Sequence, residues 1–484
     1  MNLKMVTKKI ICAALVLSVL PLAGCENKKK TEEAVSIKWY IPLEKQSDIK
    51  LVNDEVNKIT MEKLGVNIDM QLLDGAAYKE RMNMNMASGD DYDICWIGYL
   101  NPFDNAVAKG GLMKLDELLE KTPELKNSIP DYAWEQCKYK GDTYIVPNLQ
   151  IASDTMAVFF KKELVEKYNF DITTVRKTQD LEPFLQIIAE NEPSIYPFST
   201  GSGVASFRSL DEKENRNGEA LVVAVKDEAT GKFVARDGLD YADTKGRAKI
   251  LWDWYQKGYI RKDIASVMDE GTDMRAGKYA CWVSGWKPGI DAVNAKKYGY
   301  DVVSIKISPS YRSVNGASGA ALAIGRNSKH PEEAIKFIEL LNTDKELYNL
   351  ICFGIEEKHY KKLAENRVEL VDNSGYIPNA CWKFGNQFNA YLLPGQDDNV
   401  WEETKKLNET AISNGLESFR FDKNSIKGIL AKLDNVVNEY KVVRQGNLDP
   451  DTYWDEYKKK LYDNGLQTYI DEYQKQLDEF LNNK

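Results

Sequence analysis

Residues 35–73 read VSIKWYIPLEKQSDIKLVNDEVNKITMEKLGVNIDMQLL and contain a complete strand–helix–strand unit. Residues 37–41 are mostly apolar, which is typical of a strand, and Pro42 ends that strand. Apolar residues then recur at three-to-four spacing and predict a helix that ends at Gly65. Residues 66–72 alternate apolar and polar, which predicts a second strand. Strand, helix and strand at this spacing imply parallel pairing through a right-handed crossover, so the unit indicates an α/β fold.

The same alternation continues along most of the chain. Further elements are predicted as a helix over 76–86, a strand over 92–97, a hairpin over 138–147 with a Gly-Asp turn, a strand and a helix over 155–168, a strand over 317–324 and a helix from 331. The C-terminal part is different, because apolar residues spaced three to four apart predict successive helices from 426 onward. We therefore expect an α/β protein with a helical C-terminal region.

The composition narrows the possible functions. The chain has 484 residues, a formal net charge of -9 and only two histidines, His330 and His359. An acidic chain without a clustered basic surface is not expected to bind nucleic acid, and so few histidines argue against a zinc site or a histidine-centred triad. No GxSxG, Walker, GxGxxG, HExxH or calcium-loop motif occurs. We therefore expect no enzymatic activity, no cofactor and no metal site, and we interpret His359 as structural.

Residues 1–24 predict an export signal. Lysines precede an apolar run over 10–20 that is too short to span a bilayer. Leu22-Ala23-Gly24-Cys25 follows and resembles the lipobox of bacterial lipoproteins, in which a diacylglyceryl group is attached to the cysteine and cleavage makes that cysteine the new N-terminus. The alternative is an ordinary signal peptide that happens to contain a cysteine. We predict lipidation at Cys25, with residues 25–35 as a flexible tether.

The remaining cysteines do not define a disulfide framework. They are odd in number and widely spaced, namely Cys95, Cys137, Cys281, Cys352 and Cys381. Single buried thiols are the expected state. A disulfide between two of them stays open, and the sequence does not choose the pair.

Candidate ligand-binding residues are aromatic and polar side chains at or near predicted strand ends. Ligands of open α/β sheets bind at the carboxyl ends of strands. A sugar suits such a set, because an aromatic ring stacks on the apolar face of the sugar while polar groups bond its hydroxyls. The candidates are Trp39, Tyr40, Asp74, Trp96, Tyr99, Trp286, Lys287, Trp382, Asn386 and Gln387. For each aromatic residue the alternative is core packing.

Trp286 is the first of these candidates to test. It stands between Ser284-Gly285 and Lys287-Pro288-Gly289, a stretch too rich in turn residues for a helix interior. A tryptophan in this place is either a platform for a sugar ring or a packing residue on the lobe surface. We favour the platform.

Several segments resemble one protein family. The lipobox and the NSKHPEEA segment over 327–334 resemble the extracellular solute-binding proteins of ABC importers, family 1-like. GIEEKHY over 354–360 and FGNQF over 384–388 look like one branch of that family, the large sugar-transport lipoproteins of Gram-positive bacteria with an extra C-terminal domain. The resemblance covers nearly the whole chain.

This resemblance implies a two-lobed, type II periplasmic-binding-protein-like α/β fold, with the ligand in a cleft that closes by hinge motion. The expected domains are a signal peptide over 1–24, a lipidated tether over 25–35, an N-terminal lobe over 36–150 plus about 313–372, a C-terminal lobe over 151–312 plus about 373–425, and a helical region over 426–484.

The function that the resemblance implies is the lipid-anchored substrate-binding component of an ABC importer. Such a protein captures a carbohydrate, here an oligosaccharide, on the extracellular face of the cell membrane and delivers it to permease subunits in that membrane. We expect it to be a monomer. Two alternatives stay open: a binding protein for a peptide or another polar solute, and a surface glycosidase or lyase that uses a pair of carboxylates.

Overall fold

The computed structural model of the protein describes residues 34–90, 92–200, 217–218, 221–267, 270–313, 316–413 and 415–482. Val35–Lys484 forms one compact unit. The predicted signal peptide, the lipidation site Cys25 and the tether up to residue 33 lie outside the described residues.

The order of the elements alternates strands and helices over most of the chain. The strands are β1 (Val35–Pro42), β2 (Val66–Leu73), β3 (Ile94–Gly98), β4 (Lys138–Tyr139), β5 (Asp142–Thr143), β6 (Ile145–Pro147), β7 (Ser153–Asp154), β8 (Met156–Lys161), β9 (Tyr196–Ser199), β10 (Asn217–Gly218), β11 (Val222–Lys226), β12 (Phe233–Asp237), β13 (Tyr279–Gly285), β14 (Val302–Lys306), β15 (Tyr311–Arg312), β16 (Ala320–Ile324), β17 (Tyr360–Ala364) and β18 (Arg367–Leu370).

The helices follow the same order. They are α1 (Ile49–Leu64), α2 (Gly75–Ser88), α3 (Phe103–Ala108), α4 (Asp116–Glu120), α5 (Pro123–Ser128), α6 (Asp131–Glu135), α7 (Lys162–Lys167), α8 (Glu182–Asn191), α9 (Gly238–Tyr241), α10 (Thr244–Gln256), α11 (Gly271–Arg275), α12 (Ile290–Tyr298), α13 (Pro331–Thr343), α14 (Lys345–Phe353), α15 (Val400–Thr410), α16 (Lys427–Glu439), α17 (Lys441–Arg444), α18 (Pro450–Asp463) and α19 (Leu466–Asn482).

The first lobe is built on a five-stranded sheet with the order β2-β1-β3-β16-β6. The predicted β1–α1–β2 unit is confirmed: the two strands are parallel, with Val35 opposite Val66 and Pro42 opposite Leu73. β16 returns from the second lobe and pairs antiparallel with β3 and β6. Helices α13 and α14 bury apolar side chains against this sheet, and together they form one hydrophobic core.

The second lobe contains a four-stranded sheet with the order β14-β8-β13-β9. β8 pairs antiparallel with both β13 and β14, and β9 adds a parallel edge to β13. The apolar face of this sheet packs against α8 and α10 through aromatic side chains that include Phe160, Phe184 and Trp254. Phe160 and Phe184 meet edge to face, with ring centroids 5.3 Å apart.

The C-terminal helices do not form a core alone. They pack on the small sheet β10-β11-β12, which the chain inserts between β9 and α10, and the shared core includes Val222, Leu239, Leu416, Tyr457 and Leu477. The helical C-terminal region is therefore confirmed, but it begins by residue 416 and includes part of the chain that we assigned to the second lobe.

The assignment of residues 373–425 to the second lobe is wrong. Tyr376, Phe384 and Ala390 are buried in the core of the first lobe, whereas Leu416 and Phe419 belong to the core of the C-terminal region. The reason is that β16 returns the chain to the first sheet. The next helices and loops then cover the apolar surface of that sheet before the chain leaves it again.

The segments that cross between the lobes meet in a small two-stranded sheet, in which Arg312 lies opposite Ser153. We name residues 148–155 the first crossing segment, residues 307–313 and 316–319 the second, and residues 408–413 the third. The third segment joins this sheet, because the backbone N–H of Ile412 donates to the oxygen of Ser310 at 2.8 Å. Asn408 fixes the first segment by accepting from the N–H of Ala152 at 2.8 Å.

Candidate functional site

A cavity of about 460 Å³ lies where the crossing segments meet, and we name it the hinge cavity. The first crossing segment supplies half of its wall, the second crossing segment supplies a further part, and one residue comes from each lobe. The lining residues are Gln150, Ile151, Ala152, Ser153, Asp154, Lys287, Ser313, Gly316, Gly319 and Trp382. Of the residues predicted from sequence, Lys287 and Trp382 are therefore brought together at one site.

Lys287 reaches the hinge cavity from the second lobe, on the turn between β13 and α12. Gly289 allows this turn because its φ of 73° is in the left-handed region. Burial lowers the pKa of the Lys287 ammonium. Within the described part of the chain, no carboxylate contributes to the pKa of this ammonium. Its N–H donors are therefore available to a ligand oxygen.

Trp382 reaches the same cavity from the first lobe and is half-buried. Its backbone oxygen accepts from Asn148 Nδ2 at 3.1 Å, which ties this loop to the first crossing segment. Trp96 packs edge to face against its ring at 5.7 Å, and the Lys383 ammonium stands 5.0 Å from the ring centroid. These contacts fix the position of the ring, as a stacking platform for a sugar requires.

The prediction that Trp39 and Trp96 contact the ligand is wrong. Both side chains are 0% exposed, so neither contacts a ligand in this structure. Trp39 packs edge to face on Phe337 at 5.4 Å, inside the core of the first lobe. The backbone oxygen of Trp96 accepts from Tyr78 Oη at 2.5 Å, and its ring supports Trp382. Both strands are covered on both faces, so a position near a strand end does not expose a side chain.

Asp74 and Asn386 stay predictions, and local backbone groups already bind part of each side chain. Asp74 Oδ1 accepts from the N–H groups of Ala76 and Ala77 at 3.0 Å and caps α2. Asn386 Oδ1 accepts from the N–H of Phe388 at 3.1 Å, and its Nδ2 donates to a backbone oxygen at 3.3 Å. Neither residue lines the hinge cavity.

The other candidates remain predictions. Tyr99 is 68% exposed and meets Trp96 with ring centroids 5.5 Å apart. Tyr40 is half-buried against the core of the first lobe. The backbone N–H of Gln387 donates to Leu149 at 2.8 Å, beside the first crossing segment.

Trp286 shows features of a packing residue without being fully buried, so neither of its two predicted roles, sugar platform or packing residue, is decided. Its side chain is half-buried against a small aromatic core of the second lobe, and the Lys306 ammonium stands 4.5 Å from the ring. Its backbone N–H donates to the oxygen of Thr155 at 2.7 Å, at the end of the first crossing segment. It does not line the hinge cavity. The platform therefore stays a prediction for this residue.

His359 is structural, as predicted. It is 0% exposed, its Nδ1 accepts from the N–H of Ile355 at 2.8 Å, and its Nε2 lies 3.2 Å from Asp48 Oδ2. Since Nδ1 is an acceptor, Nε2 carries the proton and donates to the Asp48 carboxylate. Among the described residues no group of histidine, cysteine and acidic side chains could hold a metal ion.

The structure also adds residues that sequence reasoning missed. Gln150, Ser153 and Asp154 line the cavity from the first crossing segment. A signal for them exists in the sequence, because residues 148–154 form a polar link between the hairpin that ends at Pro147 and the strand that follows. Such a link marks the passage from one lobe to the other.

Comparison with known proteins places the chain in a family. Residues 44–347 match the family described as "Bacterial extracellular solute-binding protein". The chain belongs to this family. Residues 415–482 match a second family, a "Domain of unknown function (DUF3502)". In the described part of the chain no helix has the length and hydrophobicity that crossing a membrane requires.

Two curated proteins of Streptococcus pneumoniae serotype 4 are similar over their whole length. A carbohydrate ABC transporter substrate-binding protein is 29% identical, with 98% of each chain covered. A fructooligosaccharide ABC transporter substrate-binding protein, FusA, is 22% identical, with 100% of each chain covered. The similarity therefore includes the C-terminal region as well as the two lobes.

Solved structures confirm the predicted two-lobed, type II solute-binding fold. The N-glycan transport solute-binding protein NgtS of Streptococcus pneumoniae is 26% identical and matches with a TM-score of 0.83, covering 93% of this chain and 99% of NgtS. Two further structures of NgtS, in complex with Man1GlcNAc and with Man5GlcNAc, match with TM-scores of 0.74 and 0.70. The agreement is thus higher with the structure for which no glycan is named.

Proposed function

We propose that this protein is the substrate-binding component of an ABC importer, and that it captures an oligosaccharide between its two lobes and delivers it to a membrane permease. The observation that carries this proposal is the similarity to NgtS along nearly the whole chain, with a TM-score of 0.83. NgtS is described as an N-glycan transport protein, and both curated relatives are carbohydrate or oligosaccharide binding proteins.

The chemistry of the hinge cavity supports a sugar as the ligand. Trp382 offers a half-buried ring for stacking, while Lys287 donates and Asp154 accepts hydrogen bonds at the same cavity. The volume of about 460 Å³ is within the range of about 300–1,000 Å³ that is typical of small-molecule sites. Because the lining residues come from both lobes and from the crossing segments, a ligand here would contact both lobes and the segments that join them.

We infer that the described conformation is the open one. The TM-score against NgtS falls from 0.83 to 0.74 and 0.70 for the two glycan complexes, although the sequence identity is 26% in each comparison. A different arrangement of the lobes in the glycan complexes would account for such a fall, since the compared proteins are the same. Ligand binding would shift the population toward the closed conformation.

The anchor is a further part of the proposal. Leu22-Ala23-Gly24-Cys25 supports lipidation at Cys25 and a place on the extracellular face of the cell membrane. The two acyl chains of a diacylglyceryl group would suffice for stable anchoring. We propose that the anchored protein has no enzymatic activity, because both curated relatives are binding proteins. We also propose that it is a monomer.

A panel titration tests the proposed function. Intrinsic tryptophan fluorescence is measured against oligosaccharides of mannose and N-acetylglucosamine, against fructooligosaccharides, and against a set of short peptides. We expect saturable binding of an oligosaccharide that mass spectrometry then recovers unchanged. Saturable binding of peptides alone would support the alternative ligand class, and cleavage of the bound oligosaccharide would support the glycosidase.

A further inference from the structure

The C-terminal region, residues 415–482, is tied to the second lobe by more than its shared core. Gln474 Oε1 accepts from the backbone N–H of Ala235 at 2.7 Å. Lys458 forms an ion pair with Asp237 and another with Asp240, the latter at 2.9 Å. These contacts join α18 and α19 to strand β12 and the turn after it. The C-terminal region therefore moves with this part of the second lobe.

Arg420 of the same region reaches in the opposite direction, to the first lobe and to the second crossing segment. Its Nη2 donates to the backbone oxygen of Gln136 and to Ser318 Oγ, at 2.7 Å in each case. Its Nε lies 3.8 Å from Asp104, and its guanidinium stands 5.6 Å from the centroid of the Phe103 ring. The side chain is 9% exposed. Such a buried, multiply bonded arginine holds its partners in a fixed arrangement.

Gln136 extends this contact along the crossing segment. It is 1% exposed, and its Oε1 accepts from the backbone N–H of Ala317 at 2.9 Å. Ser318 is thus held by Arg420 of the C-terminal region and Ala317 by Gln136 of the first lobe, whereas their neighbours Gly316 and Gly319 line the hinge cavity. Arg420 therefore contacts the same four-residue stretch that forms part of the cavity wall.

A groove of about 900 Å³ lies beside Arg420, between the C-terminal region and the β4–β5 hairpin of the first lobe. Tyr139 and Lys140 line it on one side, and Lys475 and Phe480 line it on the other. The groove keeps these surfaces apart.

We propose that Arg420 is a positioning residue for ligand capture, which fixes residues 316–319 as a wall of the hinge cavity and couples the C-terminal region to binding there. This inference rests on the proposed function, because it takes the hinge cavity as the ligand site. A wall that is ordered before the ligand arrives spares the ligand the entropy of ordering it, so binding is tighter than it would be with a loose wall.

Calorimetric titration of the variant Arg420→Met tests the coupling. Methionine keeps much of the packing volume and removes the donors to Gln136 and Ser318. With the oligosaccharide found in the panel titration, we expect the dissociation constant to rise about tenfold, as it would if roughly one residue must be ordered on binding. Lys475→Met is the matched control, because Lys475 lines the same groove and, among the described residues, forms an ion pair with Glu472 alone, at 3.7 Å. The control should bind like the wild type.

Hydrogen exchange without ligand supplies an independent readout. In Arg420→Met the backbone N–H of Ala317 should exchange faster than in the wild type, while the amides of β1 should be unchanged. Ser318→Ala removes one acceptor of Arg420 and leaves the rest of the chain intact. In this variant the exchange of the Ala317 N–H should also be faster than in the wild type, but by less than in Arg420→Met. This variant keeps the test decisive if Arg420→Met folds poorly.

Two outcomes would overturn the inference: an unchanged dissociation constant in Arg420→Met, or unchanged exchange at Ala317 in both variants. If instead the proposed function is wrong, the wild-type protein binds no oligosaccharide, and this result differs from both outcomes above. The exchange experiment would in that case still decide whether Arg420 fixes the crossing segment.

Discussion

Replacing Gly316 by alanine should force the first and second crossing segments apart. A Cβ at this position would lie 2.1 Å from the backbone oxygen of Ala152 and 2.9 Å from its carbonyl carbon, whereas real Cβ contacts stay above 3.0 Å. The neighbours are backbone atoms, so no side-chain rotation can relieve the overlap. The two segments must separate by about 1 Å, and overpacking of this kind costs about 1–3 kcal/mol of the free energy of unfolding.

Urea unfolding measures this cost, and Gly428→Ala is the control. Gly428 lies in α16, and a Cβ there would meet nothing within 4 Å. Alanine should therefore leave the protein as stable as the wild type or stabilise it by about 0.5–1 kcal/mol through helix propensity. Because Ala152 and Gly316 both line the hinge cavity, Gly316→Ala should also weaken ligand binding. A Gly316→Ala variant with the unfolding free energy and affinity of the wild type would refute the close approach of the two segments.

Three further predictions follow from the site, the first lobe and the anchor. Trp382→Ala should weaken oligosaccharide binding by about 1–3 kcal/mol, on the scale of ring stacking on an aromatic side chain, and unchanged affinity in calorimetry would remove Trp382 from the site. The Lys358 and His359 side chains lower the pKa of Asp48 in the folded protein. The stability that this carboxylate contributes is therefore complete above the unfolded pKa of about 3.9, and it is lost as the pH falls through the folded pKa. Thermal unfolding of Asp48→Asn should therefore depend less on pH in the acid range than that of the wild type, and equal slopes would contradict this. Cys25→Ser should abolish lipidation, and partitioning into the detergent phase like the wild type would contradict the anchor.

The fold could be predicted where the signals are local. The β1–α1–β2 unit follows from period-two and three-to-four patterns, together with Pro42 and Gly65, within one stretch of chain. The assignment of residues 373–425 failed because it depends on which sheet the chain covers after β16, and this is decided by packing between distant segments. Tyr376 and Phe384 carry no local mark of the lobe to which they belong.

The candidate site could be predicted only in part, for the same reason. Trp39 and Trp96 lie near predicted strand ends, which makes them candidates for ligand binding, but the helices that cover both faces of the first sheet bury them. Lys287 and Trp382 line the hinge cavity, so both stay candidates for the binding site. No local sequence pattern marks Arg420 as a residue of the site, because its partners Gln136 and Ser318 lie far away in the sequence.

Small-angle X-ray scattering of the wild-type protein, without ligand and at saturating oligosaccharide, tests the central claim most directly. If an oligosaccharide is captured between the two lobes, the lobes close around it and the radius of gyration falls on binding. The ligand-free profile should match the conformation that we infer to be open. Identical profiles with and without ligand, under conditions where fluorescence shows saturation, would contradict capture between the lobes.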